Sequence, residues 1–394
     1  MSLGAQRPTV VVVGGGFAGF WAALAARRVG GKTLDVVLAS RGPMLQMRPR
    51  LYEADPASLQ VDLRPLLARV EVEYIDGKAA GLDTASHVVR LADGRELPYT
   101  RLVVATGSVL RRPSVRGSGE ALSIDTVADA IAFDECLTSI VRTGKPPRIA
   151  VIGSGFTGIE LALELRERIR RHGSTRQAQE AQIVLLDRSP VVGRELGPNP
   201  RPVIEAALKA AHIELVLGAN IKAMGHDRIE IVDRPAVRVD IVVLTTGMVA
   251  APFACQVPGE HDELGRVRVA PTLQAPACRS VFVAGDAAAV DGGDGHVVLQ
   301  SCQHALELGR YAGENAARDI LGRQLVPNRQ PPYITCLDLG ASGAVYTRGW
   351  DRRIAFTGED AKRRKRRINT EVIYPPADAS RAELLELSVP EMEA

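Results

Sequence analysis

One pattern restricts the possible folds of this chain more than any other, and it occurs twice. A short run of β-branched and aliphatic residues is followed by Gly-x-Gly-x-x-Gly and then by an apolar, helix-forming stretch. The first copy has a strand over 10–13, then Gly14-Gly15-Gly16-Phe17-Ala18-Gly19, then a helix expected over 20–27. The second has a strand over 149–152, then Gly153-Ser154-Gly155-Phe156-Thr157-Gly158, then a helix expected over 159–171. At this spacing the first glycine makes a tight turn and the second lets backbone N–H groups approach a diphosphate. The third lets the helix pack closely on the strand. The helix start then presents free N–H groups and a partial positive charge to the phosphates. One such loop also serves as a plain packing turn. Two in the same context imply two dinucleotide sites, and an α/β fold of two Rossmann-like, doubly wound, three-layer units.

The rest of the chain follows that grammar as far as residue 322. Buried strands are expected over 35–39, 101–105, 183–186, 240–244 and 281–284, with helices over 127–141, 203–211 and 301–321. Residues 70–104 alternate apolar and polar, with Asp93-Gly94 as a turn, which predicts a small antiparallel insert. An Arg/Pro/Gly/Ser-rich stretch over 111–120 reads as a crossover between domains, and 291–295 as a Gly/Asp loop. The expected division is a first nucleotide-binding domain over 8–112, a second over 113–250, a return to the first over 251–329, and a small C-terminal region over 330–394.

Composition removes other classes. With 46% apolar and 24% charged residues the chain is an ordinary globular one. No apolar run reaches the roughly 20 residues of a membrane span. A net charge of +3 does not imply nucleic acid. Cys136, Cys255, Cys278, Cys302 and Cys336 are odd in number, scattered and free of CxxC, so reduced thiols in the cytoplasm are expected, with no metal site. Basic charge is concentrated at residues 362–367. A solvated helix face, or a partner for Glu383, Glu386, Glu391 and Glu393, is the plainest reading. Attachment to the inner, anionic face of a membrane comes second, and nucleic acid finds no aromatic support.

The residue ending the second strand of each unit normally meets the ribose hydroxyls. In the second unit it is Asp187, whose charge would repel a 2′-phosphate and favour NADH over NADPH. Arg188 beside it works in the opposite sense, leaving NADPH as the alternative donor. In the first unit it is Ser40, followed by Arg41. A missing charge-assisted hydrogen bond is worth about 1.5–3 kcal/mol. A nanomolar complex totals about 12 kcal/mol, so retention of the first dinucleotide is weakened but not excluded.

Gly14, Gly16 and Gly19, then Ala105-Thr106-Gly107, then Gly153, Gly155 and Gly158 with Glu160, then Thr246-Gly247 and Ala284-Gly285-Asp286, resemble in this order the flavoproteins with two dinucleotide-binding domains. The stretches 49–53 and 90–97 look like those of type II NADH:quinone oxidoreductases and their apoptosis-inducing-factor-like relatives. The resemblance covers residues 8–322. It implies FAD at Gly14, Gly16, Gly19, Ser40, Arg41, Ala105, Thr106 and Gly107, with Gly285 and Asp286 at its ribityl or phosphate region. Gln303, His304 and Ala305, on a helix pointing at the flavin, complete that set. NAD(P)H is implied at Gly153, Gly155, Gly158, Glu160, Asp187, Thr246 and Gly247. Glu160 and Gln303 are the catalytic candidates, although Glu160 also fits as a first-turn carboxylate complementing the helix dipole.

The implied activity is that of an FAD-dependent NAD(P)H dehydrogenase delivering electrons to a quinone or another small acceptor. A reductase of a carrier protein such as ferredoxin, an NADH-sensing interaction module and a sulfide:quinone-type enzyme are the alternatives, and a homodimer is compatible with all of them. Quinone-reducing members carry Ala-Gln-x-Ala-x-Gln-Gln-Gly on the late helix. Here the segment reads Cys302-Gln303-His304-Ala305-Leu306-Glu307-Leu308-Gly309, so Glu307 and Leu308 stand for the two later glutamines. Residues 41–53 hold no CxxxxC, which argues against a dithiol relay, and Cys302 with Cys336 is the one candidate redox pair. His304 is either a proton-transfer group or core packing. Phe17, Trp21 and Phe156 are expected to pack.

Overall fold

The computed structural model describes residues 7–292 and 295–391. Strands β1 (Thr9–Val13) and β2 (Asp35–Ser40) are joined by helix α1 (Phe17–Gly30), and β3 (Glu73–Asp76) and β4 (Arg101–Val104) follow. The second unit runs β5 (Leu122–Ser123), α2 (Val127–Arg142), β6 (Arg148–Ile152), α3 (Phe156–His172), β7 (Gln182–Asp187), β8 (Glu214–Leu217) and β9 (Ile241–Leu244). The chain then returns through β10 (Gln274–Ala275) and β11 (Cys278–Val283) to the first sheet, and helix α4 (Cys302–Ile320) covers it.

The sheet orders are β10-β11-β4-β1-β2-β3 and β5-β9-β6-β7-β8. In both, the strand carrying the glycine loop lies between the strand after its own helix and a strand that arrives later. Val10 lies opposite Val36 and Arg101, and Ile149 opposite Ile183 and Ile241. Every pairing within the second sheet is parallel, and the glycine loops lie where strand order reverses, which is where open sheets of this kind bind ligands. Val10, Val12, Ile149 and Val151 are fully buried, as expected of strands covered on both faces.

Both helices after the glycine loops begin earlier than the apolar pattern predicts, at Phe17 and Phe156 rather than at 20 and 159. The third glycine therefore lies in the first helical turn, against the strand. The antiparallel insert is confined to Ala79–Asp83, Val88–Leu91 and Glu96–Pro98, while β3 and β4 on its flanks join the parallel sheet. A matching insert in the second unit, over Ile221–Met224, Arg228–Ile231 and Arg234–Arg238, was not anticipated. Its last strand is mostly exposed and rich in arginine, so it carries little apolar signal. The two Thr-Gly pairs mark the passages between units. Ser108–Leu110 pairs antiparallel with Met248–Ala250, so the chain leaves and re-enters side by side. The expected loop 291–295 falls in part outside the described residues.

The C-terminal region is more than an appendix. β12 (Ile334–Asp338), β13 (Ala344–Arg348) and β14 (Arg353–Thr357) form an antiparallel sheet, and α5 (Gly358–Arg367) turns Ala361 and Lys365 inward. A short helix α6 (Arg381–Glu386) lies near the chain end. No helix among the described residues is long and apolar enough to cross a membrane.

Helices α1 and α4 meet backbone to backbone. A side-chain carbon on Gly309 would come under 3.0 Å of the Ala18 carbonyl oxygen, and one on Gly313 under 3.0 Å of that of Ala22. Because the obstacle is backbone, no rotamer relieves it. Gly313→Val should therefore destabilise the protein by about 3 kcal/mol or more, at the upper end of overpacking costs, measured as a shift in the denaturant midpoint; an unchanged midpoint would refute the close approach.

Candidate functional site

A continuous cleft of about 2570 Å³ runs between the two glycine loops and under the C-terminal region. Sites for one drug-sized ligand are usually about 300–1,000 Å³, so there is room for two extended ligands. Its lining brings together every site residue expected from the sequence except Gly19, Gly158 and His304.

The loops are close copies. Gly14 and Gly153 both have φ +111°, and a side-chain carbon on either would come under 3.0 Å of a carbonyl oxygen, of Ala105 and Thr245 respectively. Gly19 and Gly158 pack under 3.0 Å from the carbonyl oxygens of Gly14 and Gly153 by the same construction. The middle glycines differ. A side-chain carbon on Gly16 would meet nothing within 4 Å, and one on Gly155 only Glu195 Oε2 at 4.0 Å. These two positions face open cleft, at N-caps with no side-chain cap and matching angles (φ −82°, ψ −169° and φ −76°, ψ −169°). The first N–H groups of α1 and α3 are thus left for a ligand. Thr106 Oγ1, buried on the cleft wall, has no hydrogen-bond partner among the described residues. Side-chain-free cradles, uncapped helix starts and an orphaned hydroxyl fit two dinucleotides.

The strand ends diverge for a steric reason. Asp187 Oδ2 accepts from Ser154 N (2.6 Å) and Oγ (2.7 Å), while Oδ1 accepts from Ser189 N (2.8 Å). In the first unit Ser40 Oγ donates to the Gly42 carbonyl (2.9 Å) and lies 2.7 Å from where a side-chain carbon on Gly15 would be. The Ser154–Asp187 pair of one unit is thus replaced by Gly15–Ser40 in the other. Asp286 Oδ2 accepts from Ser108 Oγ (2.6 Å), and Arg48 donates to that hydroxyl (3.2 Å) while pairing with Asp125.

Where the cleft meets the C-terminal region lies a buried ion pair. Lys365 Nζ is 2.8 Å from Glu160 Oε1, with side chains 9% and 6% exposed. The Asp338 N–H donates to the same oxygen (2.9 Å), and the ammonium stands 5.6 Å from the Tyr52 ring centroid. Lys362 pairs with Asp338, to which the Tyr52 hydroxyl also donates (3.2 Å). Burial alone would lower the Lys365 pKa, but Glu160 beside it raises it above the usual value. Burial also raises the Glu160 carboxyl, against the pull of Lys365. Glu160 is thus more than a helix-dipole carboxylate.

The expected partners of the basic run are not those observed. Lys362 and Lys365 turn inward, while Arg363, Arg366 and Arg367 pair with Asp360, Glu359 and Glu371 nearby. Glu383 instead caps α6 and Glu391 pairs with Arg310. Glu393 lies outside the described residues. One signal for the inward lysine was available: Ala361, Lys365 and Ile368 lie on one helical face.

His304 does not enter the cleft lining. Its ring stacks on Tyr333 at 5.2 Å, and Nδ1–H donates to the Leu299 carbonyl (3.0 Å). Burial pushes its pKa down to about 4, with the Leu299 carbonyl opposing in part. Burial thus favours the neutral ring, which packs outside the cleft lining. Gln303 and Ala305 do line the cleft. Glu307 is buried against Arg310, whose guanidinium carbon lies 4.7 Å from the ring centroid of Trp21, which packs in the core as expected. All five cysteines are free. Burial pushes Cys302 and Cys336 up to about 11, so both are protonated thiols at neutral pH.

The family profile of the pyridine nucleotide-disulphide oxidoreductases matches residues 8–309. An NADH dehydrogenase-like protein of Mycobacterium tuberculosis is 36% identical over 394 residues, covering 98% of each chain. A demethylphylloquinone reductase of Synechocystis is 27% identical over 356 residues, covering 86% of each. Among solved structures, the sulfide:quinone oxidoreductase of Aquifex aeolicus superposes with a TM-score of 0.74 at 20% identity, over 92% of this chain and 90% of that one, which bears on the fold.

Two outcomes follow from the geometry. Gly16→Val has free space and an ordinary φ, so it should fold normally yet lose flavin by at least about tenfold in affinity, given that hydrogen bonds to charged groups are worth about 1.5–3 kcal/mol each. Retention of a full complement of flavin, read from the absorbance ratio, would contradict the cradle assignment. His304 binds a proton in the unfolded chain near 6.5 but in the fold only near about 4. Its contribution to stability is therefore full above pH 6.5 and is lost as pH falls through about 4. His304→Gln should flatten that acid limb in a pH series of denaturant melts, and an unchanged slope would refute it.

Proposed function

The chain belongs to the pyridine nucleotide-disulphide oxidoreductase family, and from that footing we propose that it is an FAD-dependent NAD(P)H dehydrogenase passing electrons to a quinone or another small acceptor. The observation that carries this reading is the single cleft joining two equivalent cradles, each kept open by a glycine whose ligand side meets no backbone, with only the exposed Glu195 side chain reaching that of Gly155. When bound, the two cofactors supply hydride transfer from nicotinamide to flavin; alignment and electrostatics are left to the protein.

Those tasks fall to named groups. Gly16 with the start of α1 holds the diphosphate of FAD, and Gly155 with the start of α3 holds that of the nicotinamide nucleotide. Asp187, fixed by Ser154 and Ser189, is placed for ribose hydroxyls and disfavours a 2′-phosphate. Asp286 and Thr106 serve the FAD side. The start of α4, with Gln303 and Ala305, faces the flavin, and its dipole stabilises negative charge there by up to about 2 kcal/mol when partly buried. The Glu160–Lys365 pair lines the same space and holds a proton at Nζ without adding net charge to the cleft. The quinone reductase relative supports a quinone as acceptor, and the buried Glu307–Arg310 pair lies on the cleft wall where the family pattern has a glutamine.

The test is anaerobic mixing of the purified protein with NADH, then exposure of the reduced form to a short-chain quinone. Bleaching followed by rapid reoxidation is expected; a reduced form indifferent to every quinone would remove the acceptor assignment. Asp187→Asn keeps an acceptor for Ser154 but removes the charge, and should raise NADPH over NADH efficiency by at least about tenfold, since like-charge juxtaposition costs several kcal/mol. Unaltered selectivity in kcat/KM would sink the role given to Asp187.

A further inference from the structure

Five arginines are buried, and four of them have strong acceptors. Arg168 pairs with Asp134, Arg266 with Asp262 and Arg310 with Glu307, while Arg27 donates to the carbonyls of Gly31, Leu34 and Glu71. The fifth, Arg352, is 5% exposed. Its hydrogen-bonding partner is one neutral phenol, Nη1–H donating to Tyr333 Oη at 3.2 Å. Its guanidinium carbon is 5.2 Å from the Tyr333 ring centroid and 5.3 Å from that of Phe156. Among the described residues it forms no ion pair within the 4.0 Å limit. A guanidinium has five N–H donors, and this side chain lines the cleft.

Its position is specific. Arg352 lies in the turn between β13 and β14, at φ +52°, with its N–H donating to the Gly349 carbonyl at 3.0 Å. Few non-glycine residues occupy that region. Phe156, under the guanidinium, is the first residue of α3, next to Gly155 and its uncapped N-terminus. Glu195, an exposed side chain, already directs Oε2 to 4.0 Å from where a side-chain carbon on Gly155 would be, so an anion stands at this mouth on a group able to swing away.

We propose that Arg352 is a nucleotide-binding residue contributed by the C-terminal region: its guanidinium, clamped between Phe156 and Tyr333, pairs with the diphosphate of the nicotinamide nucleotide at the start of α3. The inference rests on the reading of the second glycine loop as the NAD(P)H site. A buried cation without a counter-charge is costly, and a diphosphate supplies that charge in the forked geometry a guanidinium matches. Sequence motifs give this role to the glycine loop alone. Here a third region of the chain closes over the substrate and reads the part of it that a mononucleotide lacks.

The experiment uses the full-length, FAD-loaded protein with Arg352→Met and Arg352→Lys. ADP-ribose binding is measured by calorimetry, and NADH is compared with dihydronicotinamide riboside, which has no phosphate. Arg352→Met should weaken ADP-ribose binding about ten- to hundredfold. Its preference for NADH over the riboside in kcat/KM should fall by the same factor, and Arg352→Lys should recover part of both. The melting temperature of Arg352→Met should hold or rise, because a buried charge is removed; a purely structural cation–π role would lower it. ADP-ribose affinity and NADH preference both equal to wild type would overturn the role of Arg352. Failure of the wild-type protein itself to bind ADP-ribose would instead overturn the reading of the second glycine loop.

Discussion

Close approach of backbone to backbone, made by residues without side chains, is the constraint on which the rest of this structure depends. Gly14 and Gly153 press each glycine loop against the end of the neighbouring strand, at Ala105 and Thr245, and Gly19 and Gly158 press each helix start against its own loop. Gly309 and Gly313 press α4 against α1 at Ala18 and Ala22. The first set aims two helix starts into one cleft, and the second brings the start of α4 beside Gly285. Gly16 and Gly155 serve the opposite purpose, since their open sides face the cleft, with only the end of the Glu195 side chain near Gly155. The same residue type thus works once as packing and once as vacancy.

The C-terminal region is tied to this frame by charge. Lys365 and Lys362 enter from α5 and β12 supplies Asp338, and together they enclose Glu160 on α3. Removing one member of such a pair strands the other, at roughly 3–5 kcal/mol, so docking of α5 and the charge state of the cleft are one problem. Burial works against the ammonium, but Glu160 together with Cys336 and Asp338 raises it above the usual value, and the carboxyl is raised because burial outweighs the lysine. Aromatic residues are few, at 4%. Tyr333, Trp350 and Phe156 nevertheless gather at this junction with His304 and Arg352.

Much of this was legible in the sequence because the relevant physics is local. A Gly-x-Gly-x-x-Gly between an apolar run and a helix needs no distant partner to be recognised, and both loops adopt the backbone expected of them. Asp187 was readable for the same reason, being the last residue of its strand. What could not be read depends on distant contacts. The run at 362–367 looked like surface charge, because the carboxylates that draw Lys362 and Lys365 inward lie on β12 and α3. His304 fits either proton transfer or core packing from sequence alone, and the choice depends on Tyr333, well downstream, which stacks on it. The repeated antiparallel insert is hard to read because its strands are only four or five residues long and the last is exposed and cationic.

On this reading the cleft holds two dinucleotides at once in separate cradles. The most direct measurement is simultaneous binding: FAD content per chain, followed by calorimetric titration of the flavin-loaded protein with ADP-ribose. The account predicts one FAD per chain and one ADP-ribose bound without displacing flavin, with Gly155→Val abolishing the second and sparing the first. Competition between the two ligands, or a single shared stoichiometry, would contradict it.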